Sequence, residues 1–323
     1  MGGDFAPQAI VEGVVDAVKD LDVNIVLVGI ESQVREELKK YTYPAEKIEI
    51  VHAPEVVGMH ESASTPIRRK KESSISVGIN LLKEKQYEAF ISAGNTGAVV
   101  AASTIYLGML PGVDRPGIGI VIPTLTGFAF LIDAGANTEA KPEHLLQNAQ
   151  MANVYAREVM GIEEPKVGLL NIGEEAGKGS GFEKETYKLM EEKLPNFIGN
   201  IEANEVFTGK GNCIICDGFV GNIVLKVAEG LMESAGKIAK REIVKNPLSM
   251  FGALILKFTL KNARKLVDYS EYGGAPLLGV NGLVMISHGR SSPKAIKSAI
   301  RATKREIEHN IIEKIIKDVK GNG

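Results

Sequence analysis

The sequence predicts a three-layer α/β fold with a doubly wound, mostly parallel sheet, and three observations carry that expectation. Apolar runs of strand length alternate with longer segments of helical spacing, the pattern of successive βα units. At least five of these runs adjoin small polar turns, at 92–97, 133–137, 171–179, 217–222 and 273–282. The composition, 44% hydrophobic and 24% charged with 35 glycines, is that of a globular chain with ample core.

In chain order, residues 8–20 space Ile10, Val14 and Val18 as one helical face, and 24–29 (NIVLVG) reads as a buried strand. A charged helix over 32–41 and a strand at 48–51 follow. Residues 59–71 mix loop residues with the basic cluster Arg68, Arg69, Lys70 and Lys71, which opens a helix running to about Lys85. The stretch 88–110, EAFISAGNTGAVVAASTIYLGML, is a strand, a glycine turn and a small-residue helix over 98–110. That order leaves unpaired N–H groups at a helix N-terminus, which suits an anion; a tight turn alone explains the glycines equally well.

Residues 118–122 and 128–132 flank a hairpin turn, and a helix covers about 142–160. A strand at 167–170, a helix at 182–193, a strand at 213–216 and a long helix toward Val244 come next. A second helix over about 248–267, a last strand at 283–286 and a helix from Pro293 to about Lys317 close the chain. No flexible linker divides these elements, so residues 1–323 read as one domain, with 219–267 as a helical arm.

Several function classes are excluded. The net charge of −2 gives no global attraction to nucleic acid. Cys213 and Cys216 lack further ligands for zinc, and three apart on a strand they face opposite sides; they read as reduced cytosolic thiols. No uncharged run of about 18 residues is present to span a bilayer. The 173–179 segment, GEEAGKG, is one residue short of a phosphate-loop motif and has Gly179 where Ser or Thr belongs. There is no G-x-G-x-x-G after an early strand and no G-x-S-x-G elbow.

What remains is a set of backbone donors, the amides of Asn95, Asn137, Asn171 and Asn222, and Lys178. Ligands of open α/β sheets bind beyond the carboxyl ends of strands, so all five turns are expected along one edge. Such a set suits binding an oxyanion and polarising a carbonyl, with the nucleophile supplied by a substrate. His60 and His144 are weaker candidates for a general base. The cluster at 68–71 reads either as a solvated helix face or as a docking patch for an acidic protein or a phosphorylated group.

Several strings together resemble one family: MGGDFAP, RRKKESS (68–74), SAGNTGA (92–98), DAGAN (133–137), VGLLNIGEEAGKG (167–179), CDGFVGNIVLK (216–226) and EYGGAPLLGVNG (271–282). They are similar, nearly end to end, to the bacterial phosphate acyltransferases of phospholipid synthesis. The resemblance implies a fold like the phosphotransacetylases and the isocitrate/isopropylmalate dehydrogenases. It also implies acyl transfer from acyl-carrier protein to inorganic phosphate, giving acyl phosphate, and implies no cofactor or metal. A homodimer, a cytoplasmic location with peripheral binding to anionic membrane, and a glycerol-3-phosphate acyltransferase downstream follow from it too. Chains of that family usually carry a short strand ending in Asp-Ala before MGGD, which is missing here; either the start of the chain is clipped or the strand is absent, which would leave the sheet incomplete.

The expected roles are as follows. Turns at Gly94, Thr96 and Gly97 and at Gly173, Gly177 and Gly179 hold phosphate, with Lys178 neutralising it. Asn95, Asn137 or Asn222 donates to the developing oxyanion. Asp4 and Asp217 orient groups or accept a proton. Arg68 and Lys71 steer the carrier protein. In the arm, 248–260 is apolar nearly all round, so Leu254, Leu256, Lys257 and Phe258 are expected either at a membrane surface or in a dimer core. The rival readings are a non-catalytic carrier-protein or membrane adaptor, and a metal- and nicotinamide-dependent decarboxylating dehydrogenase.

Overall fold

The computed structural model describes residues 1–257, 259 and 273–321. Its first unit is α1 (Gln8–Asp20), β1 (Ile25–Gly29), α2 (Glu31–Leu38) and β2 (Ile48–His52), with β1 and β2 forming a separate parallel pair. Then come α3 (Thr65–Arg68), α4 (Ser74–Lys83), β3 (Ala89–Ser92), α5 (Thr96–Tyr106), β4 (Gly117–Thr124), β5 (Gly127–Ile132) and α6 (Pro142–Glu158). The second half holds β6 (Val167–Asn171), α7 (Gly181–Lys193), β7 (Phe197–Glu202), β8 (Cys213–Ile215), α8 (Gly218–Val244) and α9 (Pro247–Ile255). It ends with β9 (Ala275–Leu278), β10 (Leu283–Ile286), α10 (Pro293–Glu308) and α11 (Ile311–Gly321).

The main sheet has eight strands in the order β3-β10-β9-β4-β5-β8-β6-β7. Strand alternation sorts its side chains onto two faces. Leu131, Ile214, Leu170 and Leu277 join one core with Val99 and Ala102 of α5, Ile75 and Ile79 of α4, and Val220 and Val224 of α8. Phe130, Ile132, Ile215 and Leu278 join the other with Leu145 and Ala149 of α6, Met190 of α7 and Ile315 of α11. A third cluster packs Val14 and Val18 of α1 against Leu27, Val34 and Ile296. The expected three-layer α/β architecture is therefore present.

The sheet is mostly parallel, as expected, and the 118–132 hairpin is present; two further antiparallel pairings, of β9 with β4 and with β10, were not expected. β4 is antiparallel to both β5 and β9, β9 is antiparallel to β10, and β10 is parallel to β3. β3 and β10 therefore run opposite to β5, β8, β6 and β7. The five turns do not share one edge. Those after β5, β8 and β6 are side by side, whereas 92–97 lies at the opposite edge. The segment 273–282 straddles β9, with Gly273 and Gly274 at one end and Gly279 and Gly282 at the other.

Local differences have local causes. Strand β7 was not expected, because its alternation is interrupted by Gly199 at φ 90°. Strand β9 hides in a Gly- and Pro-rich string, yet Pro276 pairs antiparallel with Met285. The basic cluster does not open a long helix: α3 ends at Arg68, and Ser73 then caps α4 by accepting from Ser76 N. The single C-terminal helix is two, broken at Asn310, whose φ of 50° is left-handed, a conformation asparagine tolerates better than most residues.

Helix α8 keeps only Gly218 and Gly221 buried, and from Gly230 to Lys257 almost every residue is exposed. α9 carries Leu248, Phe251, Leu254 and Ile255 outward. No helix among the described residues is long and apolar enough to cross a membrane. Phe258, and the expected helical continuation over 260–267, lie outside the described residues.

Candidate active site

The order β5-β8-β6 sets three strand ends next to one another, spaced by about 4.8 Å per strand. Their turns carry Asn137, Asp217, Asn222 and Lys178. The first turn is organised by Asp133, which is 1% exposed. Its Oδ1 accepts from the backbone N–H of Ile118 (3.0 Å), Gly135 (2.9 Å) and Ala136 (2.8 Å), and its Oδ2 accepts from Asn137 N–H (2.7 Å). Burial pushes this carboxyl up, and the four donors oppose that shift. The sequence reading saw the turn but not this carboxylate, although an Asp opening a run of small residues is a signal for a side chain that gathers backbone N–H groups.

The first turn of α8 docks against the same loop. Gly218 N–H donates to Asn137 O at 2.9 Å. A Cβ on Gly221 would stand 1.9 Å from Asp133 O, and one on Gly218 would stand 2.8 Å from Asn137 O, so only glycine allows this approach. Asp217 caps α8, its Oδ1 accepting from Phe219 N–H (2.8 Å) and Val220 N–H (3.0 Å). That capping ties the oxygen to the helix N-terminus, where its charge is favourable. Asn222 is exposed, and its side chain stands 3.7–3.9 Å from the Cβ position of Gly135.

Asn137 approaches His144, Nδ2 to Nδ1, at 3.4 Å, and Lys141 N–H donates to the same ring nitrogen at 3.1 Å. Nδ1 is therefore an acceptor and the ring is neutral. Partial burial lowers its pKa, reinforced by Arg115 and Lys141 and opposed by Asp114 and Glu143. A shallow depression of about 240 Å³ opens beside these groups, lined by Thr138, Glu139, Ala140, Phe182, Asp217 and Phe219.

The third turn, 171–179, folds back on itself. Lys178 N–H donates to Glu175 O (3.0 Å), and the Lys178 amine is about half exposed, 3.8 Å from Glu175 Oε2. Gly173 is buried under the Lys178 stem, Gly177 is open, and Gly179 has φ 87°. Lys210 ties the loop to its neighbour, reaching Glu174 at 2.5 Å and Glu205 at 2.8 Å.

The opposite edge is built differently. Asn95 accepts from Ala98 N–H (3.0 Å) and aims its amide nitrogen at Gly58 O, Met59 O and Glu61 O (2.9–3.1 Å). It is 7% exposed, so no amide hydrogen is left for an oxyanion and the expected donor role is not available to it. Asp4 pairs with Arg290 at 3.2 Å, and Gly94 N–H is bonded to Ser92 Oγ. From β3 to β6 the sheet is six spacings wide, roughly 29 Å, so within one chain the turn of Gly94, Thr96 and Gly97 does not meet the turn of Gly173, Gly177 and Gly179, and the two cannot hold one phosphate together. Of the basic cluster, Lys70 is spent on Val56 O and Glu61, both at 2.6 Å, while Arg68, Arg69 and Lys71 are exposed.

Cys213 and Cys216 enter opposite cores, as their spacing on a strand requires. Burial pushes both thiols up, away from nucleophilic chemistry.

Comparison with known proteins agrees with the fold. The family model described as "Fatty acid synthesis protein" matches residues 1–314. A phosphate acyltransferase of Halothermothrix orenii is 45% identical over 100% of this chain and 98% of its own length. Another, of Citrifermentans bemidjiense, is 50% identical over 93% and 86%. Among solved structures, a phosphotransacetylase from Staphylococcus aureus superposes with a TM-score of 0.60 at 17% identity, covering 93% of this chain and 92% of that one. A 4-hydroxythreonine-4-phosphate dehydrogenase from Klebsiella pneumoniae superposes at 0.51 and 13%, covering 95% and 96%.

Proposed function

This chain belongs to the fatty acid synthesis protein family and is an enzyme that transfers an acyl group to phosphate; from that premise we propose that its donor is a long-chain acyl thioester of acyl-carrier protein and its product an acyl phosphate. The observation that carries the reading is the adjacency of the β5, β8 and β6 ends, which brings the turns of Asn137, Asn222 and Lys178 together.

In this reading phosphate sits on the 173–179 turn, where backbone N–H groups and Lys178 neutralise it. A phosphate oxygen attacks the thioester carbon, the carbonyl π pair moves to oxygen, and the exposed amide of Asn222 or the Asn137 side chain donates to that oxyanion. Collapse restores the carbonyl, breaks the C–S bond and releases the carrier thiolate. Positioning and charge stabilisation supply the acceleration, and no covalent enzyme intermediate is needed. Asp217 acts by fixing the start of α8. At the other edge Asn95 holds the 92–97 turn to the 58–61 loop, and Asp4 pairs with Arg290.

We assign the exposed Arg68 and Lys71 to steering the acidic carrier protein, and α8 and α9 (within 219–267) to a homodimer contact and a lipid-facing surface on an otherwise single domain. Leu254 and Leu256 are 65% and 51% exposed and Lys257 follows them, the mixture expected of a helix lying on anionic lipid. Exchanging both leucines for glutamate separates the assignments: loss of binding to anionic vesicles with the dimer intact supports the lipid surface, and dissociation of the dimer makes the segment interface. For the reaction itself, phosphate-dependent release of carrier thiol from acyl-carrier protein is expected of the full-length enzyme. Thiol release that does not depend on phosphate overturns the assignment of the acceptor.

A further inference from the structure

The 175–178 turn that carries Lys178 rests on two buried amides, one of them on the strand that the sequence hides. Asn171, at the end of β6, accepts from Ile172 N–H at 2.8 Å and donates to Lys178 O (3.3 Å) and Asn200 Oδ1 (3.2 Å). Asn200, in the middle of β7, donates to Glu175 O at 2.9 Å. Glu175 O also takes Lys178 N–H. Both ends of the turn are thus pinned from beneath, Glu175 O by Asn200 and Lys178 O by Asn171. Asn200 is 3% exposed, and among the described residues its side chain bonds this loop and Asn171, so it is covered from a substrate.

We propose that Asn200 is a positioning residue for the phosphate step: it fixes the turn at Glu175 O and thereby the place from which Lys178 meets phosphate. The inference rests on the reading of 173–179 as the phosphate seat. A buried side chain dedicated to one loop carbonyl has an energetic reason to stay formed, because an unpaired buried donor is costly. The loop is otherwise exposed and depends on such anchors for its shape, the support that a site's outer residues give to the groups that react.

Two variants isolate the contact. Asn200→Ser keeps an oxygen near Asn171 Nδ2 but is too short to reach Glu175 O; Asn200→Asp keeps the acceptor and turns the second atom from donor to acceptor. Both are measured beside Lys178→Ala and the doubles with it. The expected result is a phosphate KM raised about tenfold, the worth of one lost hydrogen bond, with the acyl-donor KM unchanged. Each double then loses no more than Lys178→Ala alone. KM does not depend on how much enzyme is folded, so partial unfolding does not imitate this split. A silent Asn200→Ser beside a raised KM in Lys178→Ala overturns this inference alone, as do equal changes in both KM values or additive losses in the doubles. An unchanged phosphate KM in Lys178→Ala removes the phosphate seat itself and this inference with it.

Discussion

The turns at 92–97 and 171–179 look alike in sequence, each a short strand followed by glycines, an asparagine and a helix. In the structure they differ in what their polar groups are doing. At 92–97 the Asn95 side chain is buried, caps α5 and binds three carbonyls of another loop. At 171–179 the buried amides lie beneath the loop, and the loop offers its lysine to solvent. One turn is turned inward to hold the fold, the other outward. Glycine-rich strand ends therefore do not identify a ligand site; the partners of their polar atoms do.

The largest effect that sharpens this contrast is expected from Asn95→Ala. It removes a helix cap and a buried amide shared among three carbonyls, and unfolding free energy should fall by about 3 kcal/mol. The phosphate KM of the remaining folded enzyme should not change; a rise would return Asn95 to the substrate. Lys178→Ala is the mirror experiment. Loss of a charge-assisted contact of roughly 1.5–3 kcal/mol should appear in the phosphate KM, with the melting temperature unmoved. A lowered melting temperature with normal KM would make this turn scaffold as well.

A smaller effect is expected at the exposed patch. Replacing Arg68 and Lys71 by Glu should raise the carrier-protein KM a few-fold and flatten its salt dependence, because rim charges act mainly on encounter. Salt dependence as in the parent enzyme would leave the patch a solvated face. The smallest is a titration. The His144 pKa is lowered from 6.5, chiefly by burial, so its neutral form is favoured in the folded chain. The stability it contributes is present above pH 6.5 and is lost as pH falls through the lower folded value, when Nδ1 gains a proton and repels Lys141 N–H. A ring resonance with its midpoint at or above 6.5 would break the acceptor assignment.

Much of this was legible in the sequence. The helix over 8–20 and the strands expected at 24–29, 48–51, 128–132 and 167–170 follow from apolar spacing, because a buried stripe or run must be apolar whatever its neighbours are. The opposite cores of Cys213 and Cys216 follow from strand alternation alone. β7 and β9 were not legible, since Gly199 and Pro276 carry the wrong local signal and only pairing with β6 and β10 makes strands of them. Asn200 was invisible for the same reason.

By itself the sequence determined the layers, the turns and, through the long strings from MGGDFAP to EYGGAPLLGVNG, the family and its acyl transfer to phosphate. The tertiary structure alone decided which turns share an edge. Spacing along a chain records what each segment buries, but not the direction in which a strand enters the sheet. That direction is set by strand pairing, here the hairpins of β4 with β5 and of β9 with β10 joined by the non-local pair β4 with β9. Those reversals carry Asn95 and Asp4 to one edge of the sheet and leave Asn137, Asn222 and Lys178 together at the other.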